Sequence, residues 1–228
     1  MRLCASTAAA AATIVGIRSL PRQGITFASA FAMIAPPALR KGVAAALTAA
    51  ALVVLASPAQ AAETLPLTEL AKPGRVLMLR HARAPGTGDP PNFKLNDCST
   101  QRNLDDAGRA QAAELGARLA GAGVTQAKVY SSQWCRCLDT ARLLKLGPPV
   151  ELPALNSFFG RPQNREPNLA ALRTFLAELP VAGPPVVLVT HQVTISALTG
   201  QGTVSGGGAI VELNGSGAPR VLGRIEAN

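Results

Sequence analysis

Short apolar runs alternate along this chain with longer stretches in which apolar positions recur at helical spacing. Arg75 to Leu79 (RVLML), Lys128 to Tyr130 and Val186 to Thr190 (VVLVT) are brief, aliphatic and bounded by polar or turn-forming residues, the pattern of buried strands. Leu104 to about Ala120 reads as a helix: Ala112, Leu115 and Leu119 form a stripe, and Asp105 and Asp106 complement the positive end of the helix dipole. Trp134 to Leu144 reads as a second helix, with Ser131-Ser132 as its N-cap and Gly147-Pro148-Pro149 beyond its end. Asn168 to Leu179 reads as a third. Near the C-terminus, Ala209 to Leu213 and Arg220 to Ile225 read as two strands, and the turns around them are rich in Gly.

Strands alternating with helices predict a three-layer α/β/α sandwich around a largely parallel sheet, a fold that binds ligands at the carboxyl ends of its strands. The RVLML run leads into Arg80-His81, the VVLVT run leads into His191, and Arg136 falls in the first turn of the second helix. The same edge would be bordered by the Gly- and Pro-rich loop from Pro85 to Asn103 and by the irregular segment from Asn156 to Asn168.

Ahead of this domain the pattern changes. Arg40-Lys41 is followed by the almost wholly apolar stretch Gly42 to Ala56 and then by Ala59-Gln60-Ala61, which together have the positive, apolar and small-residue order of an export signal. The apolar stretch is about 15 residues, short of the roughly 20 that a membrane-spanning helix requires. The expectation is a leader over residues 1–61, with Met33 as a second candidate start, and a mature domain over residues 62–228. That domain would be periplasmic or secreted, or tethered to the membrane if the leader were retained.

The formal charge of +9 shrinks once the leader is set aside, because residues 1–61 hold five basic residues and no acid, leaving 17 basic against 13 acidic residues. With one Trp and one Tyr there is little on which bases could stack, so nucleic acid is an unsuitable partner and a small anionic substrate suits the charge better. No extended apolar surface stripe stands out, and a monomer is expected. Cys98, Cys135 and Cys137 remain in the mature domain, too few for a metal site but enough for one disulfide, between Cys98 and either of the others.

The chain has two histidines, and each directly follows a predicted strand. Leu79-Arg80-His81-Ala82, Ser131-Ser132-Gln133-Trp134-Cys135-Arg136 and Val189-Thr190-His191 resemble, in order and spacing, the Arg-His-Gly, second-arginine and second-histidine motifs of the histidine phosphatase superfamily, the phosphoglycerate mutase-like fold. Arg102 to Ala112 also resembles that family's helix-opening segment. The resemblance runs from about residue 75 to 200. It implies a phosphomonoester hydrolase without metal or cofactor, in which His81 is the nucleophile and Arg80, Arg136 and His191 bind the phosphoryl group.

The residue chemistry is compatible with that implication. A neutral imidazole, with a reference pKa of about 6.5, can attack phosphorus, and the developing charge on the phosphoryl oxygens calls for several fixed donors. Arginine suits this role because its planar fork donates two hydrogen bonds while staying charged.

The sequence departs from the family pattern at three places. Ala82 stands where the motif has glycine, the segment Leu155-Asn156-Ser157-Phe158 lacks the acid that many members carry there, and Gln192 stands where another branch has an aspartate. The leaving oxygen still requires a proton. Asp97 is ranked first for that role, ahead of Asp89 and Glu166. The alternative, suggested by the missing acid, is a non-catalytic phosphate- or sugar-phosphate-binding module, and a mutase is a further possibility within the family. Resemblance and compartment together favour an envelope sugar phosphate as substrate.

Overall fold

The computed structural model describes residues 63–227. The expected leader and Met33 lie outside the described residues. Among the described residues, no helix is long and apolar enough to cross a membrane.

Among the described residues, six strands form one sheet: β1 (Arg75–Arg80), β2 (Lys128–Ser131), β3 (Val150–Glu151), β4 (Val186–Thr190), β5 (Gly208–Glu212) and β6 (Arg220–Ile225). Their spatial order is β3-β2-β4-β1-β5-β6. The pairings β3 with β2, β2 with β4 and β4 with β1 are parallel, whereas β5 runs antiparallel to β1 and to β6. This is the largely parallel sheet expected, extended by a C-terminal antiparallel pair.

Among the described residues, four α-helices cover the sheet: α1 (Asp106–Gly121), α2 (Cys135–Leu143), α3 (Arg165–Glu178) and α4 (Gln192–Thr199). Alternation along the central strands sorts their side chains between two faces. Leu77 and Leu79 of β1 join Val187 and Val189 of β4 in a core with Leu115, Leu119 and Ala141 of α1 and α2. Val76 and Met78 join Val186 and Leu188 in a second core with Leu172 and Leu176 of α3 and Ile195 of α4. A sheet with a separate dry core on each face is the three-layer α/β/α sandwich.

Local chemistry explains where the helices start. Helix α1 starts at Asp106, not at Leu104, and Asp105 is its N-cap, because its carboxylate accepts the Gly108 N–H at 2.8 Å. A Cβ on Gly108 would lie 2.0 Å from the Arg83 carbonyl oxygen, so glycine here lets the chain leaving β1 lie against the first turn of α1. Trp134, rather than Ser131 or Ser132, is the N-cap of α2, and the Ser132 hydroxyl accepts the Trp134 N–H at 3.4 Å. Helix α3 starts at Arg165, three residues before the expected Asn168, because Pro167 in a first turn forfeits no intrahelical bond. Helix α4 and the two-residue β3 were not expected from the sequence.

Candidate active site

β1 and β4 are in register so that Arg80 pairs with Thr190, and the His81 N–H donates to the Thr190 carbonyl at 3.0 Å. His81 and His191 therefore leave the sheet side by side, with ring centroids 5.5 Å apart. Both face a cavity of about 500 Å³. The residues lining it include four arginines (Arg80, Arg102, Arg136 and Arg161) and one acid, Asp89. That balance favours an anionic occupant.

The tautomer of His81 follows from its neighbours. Nδ1 lies 2.8 Å from the Ala82 carbonyl oxygen, which can only accept, so Nδ1 carries the hydrogen. Nε2 receives Arg136 Nε–H at 3.2 Å and so keeps its lone pair. Burial, and then the Arg136 charge, lower the His81 pKa to about 3, so the ring is neutral across the physiological range. His191 is likewise held well below its ordinary value, by burial first and then by Arg136. Its Nε2 lies 2.9 Å from Ser132 Oγ and 3.5 Å from Cys137 Sγ, and its ring meets Trp134 edge-on.

Arg80 is half-buried, and its Nη1 donates to the Thr203 carbonyl at 3.0 Å. Its Nε is buried without a hydrogen-bond partner, a donor that an entering oxyanion could satisfy. Burial and the like charge of Arg136 lower its pKa. Arg136 is buried at the start of α2, with Nη1 and Nη2 forked onto Asp89 at 2.7 and 3.1 Å. Asp89 also accepts from Trp134 Nε1 at 3.0 Å and from the Arg102 N–H at 3.1 Å. Burial raises the Asp89 carboxyl, but these donors and the Arg136 charge outweigh it and hold the group below its usual value.

The cavity thus brings together His81, Arg80, Arg136 and His191, but not Asp97. Asp97 accepts both the N–H and the hydroxyl of Ser99, at 3.1 and 2.6 Å, in a turn of its own, and it is not among the residues lining the cavity. The Ser99 bonds hold its carboxyl low. Its first rank among the candidate acids is therefore corrected. Glu166 is exposed on α3, paired with Arg165 and also outside the lining. Of the three acids considered, Asp89 lines the cavity.

Arg102, which opens the segment leading into α1, also lines the cavity. Its Nε donates to the Gly88 carbonyl at 2.7 Å and its Nη1 to the Ala84 carbonyl, which folds the loop after β1 over the cavity. Cys98 is bonded to Cys135, fixing the same loop to the first residue of α2, next to Arg136. Cys137 is free, and burial pushes its thiol up to about 12. Among the described residues, no group of three or more His, Cys, Asp or Glu is placed to hold a metal ion.

Residues 76–167 match the family model described as histidine phosphatase superfamily, branch 1. No curated protein matches the chain. Among solved structures, SixA from Agrobacterium tumefaciens is similar at 21% identity over 67% of this chain and 97% of its own, with a TM-score of 0.46. A second protein, TTHB049 from Thermus thermophilus, is similar at 19% identity over 67% of this chain and 99% of its own, with a TM-score of 0.47. A phosphoglycerate mutase from the same organism is similar at 20% identity over 66% and 98%, also with a TM-score of 0.47.

Proposed function

We propose, on the match of residues 76–167 to the histidine phosphatase superfamily, that this protein hydrolyses phosphomonoesters by way of a phosphohistidine on His81. One observation carries the reading: Nδ1 of His81 is tied to a carbonyl, so the lone pair is fixed on Nε2, within 3.2 Å of Arg136, at a cavity lined by four arginines.

In this reading the ester's phosphoryl group enters the cavity and its oxygens are held by Arg80, Arg136 and His191. Nε2 attacks phosphorus, the P–O bond to the alcohol breaks, and water then releases phosphate from the histidine. Fixed guanidinium groups stabilise the charge that spreads over the phosphoryl oxygens, and being held by the fold beforehand they need little reorganisation during the reaction. The Ala82 carbonyl stabilises the ring hydrogen while Nε2 carries the phosphoryl group. No step calls on a metal or cofactor.

The enzyme is proposed to act as a monomer in an oxidising compartment, periplasmic or extracellular, and the Cys98–Cys135 disulfide supports that location. An envelope sugar phosphate is the proposed substrate class. The test is hydrolysis of an aryl phosphate by the purified protein in the presence of chelator, beside His81→Ala. Activity that survives chelator and is lost in the variant supports the phosphohistidine route, and activity indifferent to His81 would overturn it. Tight phosphate binding without turnover in the unaltered protein would favour a binding module instead.

A further inference from the structure

We infer that Asp89 is the acid-base residue of this reaction, and that it occupies the arginine fork of the phosphoryl site until substrate displaces it. The inference rests on the phosphatase reading above. Its grounds are geometric. The two Arg136 nitrogens expected to grip a phosphoryl group are already engaged by the Asp89 carboxylate, while the third nitrogen of the same guanidinium touches His81 Nε2. Trp134 Nε1 and the Arg102 N–H complete a set of four donors around one half-buried anion. Asp89 therefore stands one guanidinium away from the nucleophile.

The sequence forces this outward reach. An aspartate in a loop ordinarily bonds the N–H two residues on, as Asp97 does with Ser99. Asp89 is followed by Pro90 and Pro91, which have no N–H to offer, so its carboxylate finds its donors on distant segments.

A phosphoryl dianion and a carboxylate cannot both hold Arg136. The groups facing Asp89 are the cations Arg136 and Arg102, the indole of Trp134, and beyond them the neutral His81 and the Cys137 thiol. None is a second acid that could accept a displaced proton. When a monoanionic ester enters, its phosphoryl oxygens take the fork and its proton passes to Asp89, whose half-buried carboxylate has lost its counter-charge. As the N–P bond forms and the P–O bond breaks, the leaving oxygen takes the electron pair and the Asp89 proton, and departs as alcohol. The Asp89 carboxylate then accepts a proton from the attacking water while the P–N bond breaks and its electron pair returns to Nε2. Phosphate leaves with that proton, and Asp89 returns to Arg136.

The experiment compares the purified protein with Asp89→Asn, and with Asp89→Ala as a second variant, on aryl and alkyl phosphates and in inhibition by inorganic phosphate. With poor alkyl leaving groups, kcat should fall by about 100-fold or more, the scale of general acid catalysis, and with a good aryl leaving group by less than about tenfold. Inorganic phosphate should inhibit both variants more tightly than the parent, because its competitor for the fork is gone. Equal loss on both substrate types, or weaker phosphate inhibition, would mean that Asp89 only positions Arg136 and would overturn the inference. If neither variant folds, the parent alone decides: a shallow dependence of kcat on leaving-group basicity supports a proton donor, and a steep one excludes it. Activity that persists in His81→Ala would instead sink the phosphohistidine reading, whatever the Asp89 variants do.

Discussion

Ser132 Oγ lies 2.9 Å from His191 Nε2, so one nitrogen of the second histidine is engaged by the protein before any ligand arrives. The same hydroxyl lies 3.2 Å from Asn156 Oδ1, and Asn156 is bonded in both directions to Gln133, by its Oδ1 at 2.9 Å and its Nδ2 at 2.8 Å. The ring of His191 is thereby oriented by a chain of bonds reaching the loop on the far side of β2.

Ser132→Ala removes that orientation while leaving every charge in place. One hydrogen bond contributes about 1 kcal/mol, so kcat/KM should fall by roughly fivefold with little change in thermal stability. Steady-state kinetics on an aryl phosphate would show it. An unchanged kcat/KM would mean that the Trp134 and Cys137 contacts suffice to hold the ring.

Arg80→Lys keeps a positive charge at the cavity but removes the planar fork and its buried Nε. The expected loss in kcat is at least about 100-fold, the scale seen when one preorganised donor to a developing oxyanion is removed. Rescue to near parental activity would show that charge alone matters at this position.

The pH dependence of stability follows from His81. An unfolded histidine takes up a proton near pH 6.5, whereas His81 stays neutral down to about 3. Between those values the unfolded chain binds more protons than the folded one, so stability rises with pH and is lost as pH falls through that window. His191 acts in the same direction. The thermal midpoint should drop on acidification from about pH 6.5 toward 3, and His81→Gln should flatten that drop. Parallel curves for the two proteins would contradict the depressed pKa.

Reduction of the Cys98–Cys135 bond, which closes a loop of sequence separation 37, should cost roughly 2–4 kcal/mol of stability. Because the bond ties the loop bearing Asp89 and Arg102 to the start of α2, activity should weaken at temperatures where the protein is still folded. Melting and activity measured with and without reductant, beside Cys98→Ser with Cys135→Ser, would test both effects.

Much of this was legible in the sequence, and the reasons are specific. The runs Val76–Leu79 of β1 and Val186–Val189 of β4 are apolar and buried on both faces of the sheet, and a histidine follows the end of each strand, so strand, edge and candidate nucleophile could be read together. Helix α4 was hidden because its eight residues, QVTISALT, follow β4 after one residue and carry no charge to mark a solvent face. The cysteine pair was read as Cys98 with one of two partners, and helix geometry chose Cys135 by turning Cys137 into the core beneath His191. Asp97 was preferred to Asp89 although a signal was present: Asp97-Cys98-Ser99 offers the carboxylate a local N–H and Asp89-Pro90-Pro91 does not. Arg102 could not be recognised in the same way, because the carbonyls that hold it belong to a loop whose path only the fold defines.

The pairing of Arg80 with Thr190 means that the distance between the two histidines is set by a backbone ladder and not by any side chain in the cavity. A slip of one residue between β1 and β4 would turn one imidazole to the opposite face of the sheet, and nothing short of breaking several ladder bonds could produce it. The spacing of the two histidines is thus as durable as the core beneath it. The loops from 82 to 104 and from 156 to 164 carry no part of that spacing. Their residues other than Ala82, Asp89, Cys98, Arg102 and Asn156 can therefore change to suit another leaving group while the distance between the histidines stays fixed.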